Sequence, residues 1–355
     1  MNKARFIAVS LLLMCIACNS AQPMATEKMG SPSVAEATDA GAQPSAPAVM
    51  QPPAAKSRPQ HDAGSQAQPK VERRAHDDAA VSSAKDSSVD QSEPVCVPAR
   101  DLPAAEAELE IAGTRRLFSM HVPAKLPSDR AVPLLVDLHG LMKHARYQRA
   151  NSGFAQEADR AGFVVVYPQA VDNAWNLGVA DCCGVDSAHD DVDFIRALVT
   201  KLQQSACVDS EHIYIAGSDV GGGMAQQLAC RASDLFAAAV TRDFDFSALA
   251  ADSCEPSRPV PILALRSEND PDLPYAGGEV RLSSGLNTRV RMLGAEASLS
   301  RWAELNQCNG DPDTSTPNCQ RYTACKDASE VALCTRANPR APEDATAAWA
   351  FLQRF

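Results

Sequence analysis

Aromatic side chains make up only 5% of the 355 residues, and between Asn19 and Pro94 there is no Leu, Ile, Phe, Tyr or Trp at all. A stretch built from Ala, Pro, Ser, Gln and scattered charge cannot bury enough apolar surface to offset the entropy of ordering, so 19–94 is expected to be a disordered tether, extended somewhat by its proline. Positive charge is also short, with 33 Lys and Arg against 44 Asp and Glu and a net charge of −11. The imbalance divides as about +2 over residues 1–18, about −3 over 19–94 and about −10 beyond. An acidic folded part argues against nucleic acid and anionic membrane surfaces as partners. Beyond the N-terminus no apolar run is long enough to span a bilayer, and no fixed repeat period suggests a solenoid. The absence with the largest chemical consequence is histidine: the 7 in the chain are at 61, 76, 121, 139, 144, 189 and 212, and none follows.

What is present points to an exported chain with one folded domain. Hydrophobic residues are 45% of the total, enough for a sizeable core over about 95–355. Twelve cysteines are too many for an ordinary cytosolic chain, and ten lie beyond residue 18, an even number suited to disulfide pairing in an oxidising compartment. Lys3 and Arg5 form a short positive segment ahead of the apolar run Ala8 to Ala17, which is too short for a lasting membrane helix. The following Cys15-Ile16-Ala17-Cys18 resembles a bacterial lipobox, making residues 1–18 a lipoprotein-type signal with Cys18 as the lipidated residue. The alternative is a plain secretory signal cut near Ala17 or Ala21. Membrane attachment is expected only through that lipid anchor, placing the protein in the cell envelope, or secreted in the alternative.

From residue 95 on, strand-like and helix-like segments alternate. Arg116–Pro123, Leu134–Leu138, Phe163–Tyr167, His212–Ala216, Phe236–Val240 and Pro261–Leu265 are predicted strands. A helix capped by Ser152 runs to Ala161 with Gly162 at its end, a second covers Asp190–Ser205, and a third Met224–Arg231. Such alternation means a mostly parallel sheet with helices on both faces, an α/β fold. Cys308, Cys319, Cys325 and Cys334 lack the paired spacing of a zinc ribbon and are expected in disulfides that hold the late loops, including 310–318. Cys230 and Cys254 bracket one segment and can pair, and Cys96, Cys182, Cys183 and Cys207 supply two more bridges of open connectivity.

The strand-to-helix turn Gly217-Ser218-Asp219-Val220-Gly221-Gly222 has the form of a nucleophile elbow, G-x-Nu-x-G, centred on Asp219. Centring it on Ser218 would place Val220 where a small residue is needed. Three stretches, Pro133 to Gly140, Trp175-Asn176 with Cys182-Cys183-Gly184, and Asp190 to Ile195, resemble the polyhydroxybutyrate depolymerase and feruloyl esterase-like family of secreted α/β-hydrolases. Asp270-Pro271, Pro274-Tyr275, Gly277-Gly278, and Trp302 with Asn306 and Cys308 extend the likeness over nearly the whole domain. The resemblance implies an α/β-hydrolase fold, hydrolysis of carboxylic esters in polyesters or of hydroxycinnamoyl esters on polysaccharide, and a Ser, Asp, His triad. It also implies an oxyanion hole from the backbone N–H groups of Leu141 and Val220, and Asp270 as triad acid. Partners would be an ester-bearing polymer or small ester; no cofactor and no metal is implied.

Two of the three triad groups are missing. Asp219 occupies the serine slot, and Pro339 falls where the family carries histidine. A serine esterase needs a base within reach of its hydroxyl. Asp219 is therefore either a carboxylate nucleophile or a helix-capping group in a retired elbow, ionised beside unpaired N–H groups and able to fold its own oxygen into the oxyanion hole, a self-plugged site; Asp270 is either a triad acid or a loop organiser. His139 is on the wrong loop for a base, while His144, His189 and His212 are expected at caps or the surface. Asp190, Asp191 and Asp193 suit a helix start better than a cation site. Arg242 and Asp243 either pair with Asp219 or face solvent. Two functions follow: a carboxylic-ester hydrolase that is active or impaired, and a non-catalytic surface module that keeps the hydrolase pocket for binding.

Overall fold

Three hydrophobic segments have every residue buried or nearly so, VPLLVDL at 132–138, VVVYP at 164–168 and AAVTR at 238–242, and only the interior of a sheet covered on both faces satisfies them. The computed structural model describes residues 99, 102, 106–111, 113–178, 190–282, 289–337 and 344–355, all within one unit, Asp86–Phe355. The signal, Cys18, the tether, Cys96, Cys182, Cys183, His189 and Pro339 lie outside the described residues.

In chain order the strands are β1 (Glu106–Ile111), β2 (Thr114–His121), β3 (Val132–Leu138), β4 (Val164–Pro168), β5 (Val208–Ser218), β6 (Ala238–Arg242), β7 (Ile262–Ser267), β8 (Gly278–Val280), β9 (Val290–Met292), β10 (Cys319–Tyr322) and β11 (Val331–Arg336). The helices are α1 (Ala145–Asn151), α2 (Phe154–Ala161), α3 (Asp191–Ser205), α4 (Val220–Arg231), α5 (Ala248–Ser253), α6 (Ala295–Leu305) and α7 (Asp344–Leu352). A nine-stranded sheet has the order β1-β2-β4-β3-β5-β6-β7-β11-β10, and β8 pairs β9 apart from it. The run from β4 through β11 is parallel, while β1, β2 and β10 add antiparallel edges. One apolar cluster joins one sheet face to α3, α4 and α6 through Phe194, Leu198, Met224, Leu228 and Trp302; the other joins the opposite face to α1, α2 and α7 through Phe154, Ala158 and Trp349. Trp349 stacks on Phe163 with ring centroids 3.7 Å apart.

All six expected strands and all three helices are found, with shifted ends. Ser152 is the C-cap of α1; Gly153, in the left-handed region at φ 82°, is the N-cap of α2, and Ser152 Oγ accepts from Phe154 N at 3.4 Å. Helix α4 begins four residues ahead of the expected Met224 because tertiary contact, rather than propensity, holds its glycine-rich first turn. Asp190 caps α3, accepting from Val192 N (2.8 Å) and Asp193 N (3.4 Å). Asp191 is instead buried against Arg116, Nη2 to Oδ1 2.5 Å, and accepts from Asn176 N. Its burial holds the Asp191 carboxyl above the ordinary range despite the guanidinium.

Disulfides join Cys230 to Cys254, Cys308 to Cys325, and Cys319 to Cys334. Cys207 is disulfide-bonded as well. The Cys319–Cys334 bridge crosses directly between paired residues of β10 and β11, and together with Cys308–Cys325 it fixes the segment after α6. Closed loops of 15 to 24 residues are each worth about 3 kcal/mol in the chain-entropy account.

Candidate active site

Strand β5 ends at Ser218 and α4 starts at Val220, so Asp219 alone makes the turn, at φ 54°, ψ −132°. A non-glycine residue there stores about 1–3 kcal/mol of strain. The turn is over-determined by its neighbours. Asp219 N donates to Arg242 O (2.9 Å), and Asp219 O accepts from Gly222 N (2.7 Å). A Cβ on Gly217 would lie 2.0 Å from Gly221 O, and one on Gly221 would lie 2.4 Å from Leu138 O and 2.5 Å from His139 O. Positions 217 and 221 therefore exclude any side chain, which fixes the elbow register on Asp219.

The Asp219 carboxylate does not cap α4, correcting that expectation: its side chain makes no bond to the first helical turn. The positive φ turns the side chain off the helix end and toward the loop after β3, where Oδ2 accepts from Leu141 N at 2.9 Å. Val220, the other backbone donor nominated above, is buried directly after Asp219 at the start of α4.

The loop that presents Leu141 is built around His139, which is fully buried. Ala170 N donates to His139 Nε2 (3.1 Å), so the ring proton sits on Nδ1 and is donated to Gly140 O (2.9 Å). Trp175 Nε1 donates to His139 O (2.8 Å). Burial pushes this imidazole down to about 4, and with both nitrogens engaged it is a neutral structural ring. His144 caps α1 by accepting from Tyr147 N, and His212 pairs with Asp209.

Asp270 stands in the loop after β7, where Oδ1 accepts from Asp272 N (2.9 Å) and Leu273 N (3.0 Å) and Oδ2 lies 3.3 Å from Arg266 Nη1. Arg266 is fully buried and also faces Asp245, Nε to Oδ1 2.9 Å. Neither Arg242 nor Asp243 behaves as expected, since both are buried and each has another partner. Arg242 reaches Asp137 Oδ1 (3.4 Å) and Ser152 O (3.1 Å), and Asp243 pairs with Arg336 (2.8 Å), which also reaches Asp344 (3.2 Å). Burial raises Asp137 and Asp245 to about 6 against the opposing pull of their arginines, and raises Asp243 as well. Sequence reasoning passed over Asp137, Asp245, Arg266 and Arg336. The signal was a charge inside an otherwise apolar strand, as in VPLLVDL and ILALRS.

Asp219 and Ser218 open onto a cavity of about 570 Å³ walled by α1, α2 and the start of α7, with Lys143, Tyr147, Gln156 and Thr346 among its lining.

A mostly parallel sheet covered on both faces, with a strained strand-to-helix elbow at the end of a central strand, defines the α/β-hydrolase fold. A solved acetyl xylan esterase from Aspergillus awamori shares this fold with a TM-score of 0.51 at 15% identity, over 70% of this chain and 99% of that one. Residues 118–252 match the family model for Esterase PHB depolymerase. Feruloyl esterase B of Piromyces equi is 34% identical over 242 residues, 66% of this chain and 44% of that protein. The bifunctional acetylxylan esterase/xylanase XynS20E of Neocallimastix patriciarum is 27% identical over 165 residues, 46% of this chain and 22% of that protein. The chain spans about half or less of the length of these curated relatives. Over residues 118–252, and along most of the folded part, this chain is thus similar to esterases of the polyhydroxybutyrate depolymerase and feruloyl esterase kind.

Proposed function

We propose that this chain is an exported, lipid-anchored member of the carboxylic-ester hydrolase family whose ester hydrolysis is weak or lost. The observation that carries the reading is the bond from Leu141 N to Asp219 Oδ2. In an esterase that N–H would stabilise the oxyanion of the tetrahedral intermediate; here a side-chain anion already holds it. A carboxylate is also a poor acyl acceptor, because attack on an ester carbonyl would form an anhydride while expelling a much more basic alkoxide. The second step fails too. No histidine follows the elbow to serve as the family's base that activates water, and His139 is locked between Gly140 O and Ala170 N. Asp270 is then a loop organiser paired to Arg266 rather than the partner of a base.

Export and anchoring rest on the short basic and apolar N-terminus, Cys18, and the disulfides, which belong to oxidising compartments. The relatives' names supply the substrate class, carboxylic esters such as feruloyl or acetylxylan esters. The second reading, a non-catalytic cell-surface module that binds a polyester, polysaccharide or protein, is favoured by the cavity retained beside Asp219. The test is Asp219→Ser. Restoring the hydroxyl without a base should leave turnover of 4-nitrophenyl butyrate near background, with at most one equivalent of 4-nitrophenolate released. Steady turnover at the rate of an ordinary esterase would overturn the missing-base argument.

A further inference from the structure

Most of the side chains that line the cavity beside Asp219 end in polar groups. The cavity's wholly apolar side chains are Ala150 and Ala345, with the ring of Tyr147, and the rest of its apolar surface comes from glycines and the stems of polar side chains. Both of its carboxylates are engaged: Asp219 with Leu141 N, and Glu157 with Arg160 and Thr346 Oγ1. The Arg242 guanidinium is committed to Asp137 and Ser152. What stays open is a set of neutral hydrogen-bonding groups, the Tyr147 hydroxyl, the Gln156 amide and the Ser218 hydroxyl, none of which bonds through its side chain to another described residue. One cation is open with them. The Lys143 ammonium lies 4.9 Å from the centroid of the Tyr147 ring and has no carboxylate partner among the described residues.

Resting on the reading of a retired esterase site, we propose that this cavity binds a polyhydroxylated carboxylate of the sugar-acid type as an intact ligand, with its carboxylate on Lys143 and its hydroxyls on Tyr147, Gln156 and Ser218. A neutral ester would leave the ammonium without a partner, and an acyl chain would desolvate the open polar groups without compensation. An acid carrying several hydroxyls satisfies both conditions, because a charge-assisted bond to Lys143 supplies orientation and neutral bonds supply the remainder.

The experiment is calorimetric titration of the purified chain with a trimer of galacturonic acid, beside the neutral trimer of xylose and ethyl ferulate. The acid trimer should bind saturably. The xylose trimer should bind at least about tenfold more weakly, the loss expected for one charge-assisted bond, and ethyl ferulate should not compete. Lys143→Ala should reproduce that tenfold loss, and Lys143→Arg should keep most of the affinity; both are substitutions at a half-buried surface position, and intact folding is checked by an unchanged denaturation midpoint. Equal binding of acid and neutral trimers, binding indifferent to Lys143→Ala, competition by ethyl ferulate, or no binding of the acid trimer would each overturn the assignment. Ester turnover is read separately: a chain that hydrolyses 4-nitrophenyl butyrate refutes the lost-catalysis reading, whereas a chain inert to both ester and sugar acid refutes only the ligand.

Discussion

Replacing Gly221 by alanine asks whether the elbow is a rigid crossing of strand and helix. The added Cβ would stand 2.4 Å from Leu138 O and 2.5 Å from His139 O, both backbone atoms of β3 and its following residue. An ordinary carbon–oxygen contact needs roughly 1 Å more, so α4 must move away from β3. That movement disturbs the packing of Val220, Met224 and Leu228 beneath the sheet. Overpacking against side chains costs about 1–3 kcal/mol; against backbone, which has no rotamer to yield, about 3 kcal/mol or more is expected. At a urea m-value of about 3 kcal/mol per molar, the midpoint falls by about 1 M with the disulfides intact. Gly113→Ala is the control, because that position has φ +76° but nothing within 4 Å of a new Cβ, so it carries only a conformational cost of about 1 kcal/mol. Val220→Ala completes the set as an ordinary large-to-small change. A Gly221→Ala midpoint within the Gly113→Ala shift would refute both the close crossing and the elbow register built on it.

Other expectations follow from the buried charges and rings. Asp137 and Asp245 ionise at about 6 in the folded chain against an ordinary 3.8, so the folded state holds more protons than the unfolded one between those values. Stability therefore falls as pH rises from about 4 to 6, by up to about 3 kcal/mol per group, and is flat above. The exposed acids with lowered values, such as Glu106 and Asp313, oppose this only weakly; a melting temperature that climbs from pH 5 to 7.5 would count against it. Asp191→Ala strands the buried Arg116 guanidinium and should cost about 3–5 kcal/mol in urea denaturation, whereas a loss under 1 kcal/mol would mean water reaches the pair. Nitrogen-detected NMR should find His139 neutral, with its proton on Nδ1, at pH 5.5; an imidazolium titrating near 6.5 would contradict its burial.

The mostly parallel sheet and the elbow were legible because both follow from strong local patterns. Buried parallel strands announce themselves as short apolar runs, and glycines at 217 and 221 announce a crossing that admits no side chain. The cap of α2 was misassigned because Ser152 and Gly153 are both good helix-boundary residues, and only the path of α1 decides between them. Helix α1 itself has the mixed pattern ARYQRAN, which identifies no apolar stripe. Strands β8 to β11 are short or carry little hydrophobic signal; β8 and β9 pair with each other, β10 is bridged to β11 by Cys319–Cys334 and β11 pairs with β7, information distant in sequence. The arginine–aspartate pairs under the site were invisible for the same reason: Arg266 and Asp245 are 21 positions apart, and a lone charge in a strand does not name its partner. The turn of the Asp219 carboxylate toward Leu141 N was anticipated from the charge it carries beside unpaired N–H groups, whereas the helix cap expected with it is absent because the backbone torsion at 219 points the side chain off α4.

The central claim is that Asp219 fills the donor an esterase would keep for its oxyanion. Turnover of 4-nitrophenyl butyrate by the purified, disulfide-bonded chain, side by side with Asp219→Ala, tests it most directly. The account predicts that the two proteins are indistinguishable and near the uncatalysed rate. Sustained turnover by the parent chain that disappears in Asp219→Ala would contradict it and make Asp219 a working nucleophile.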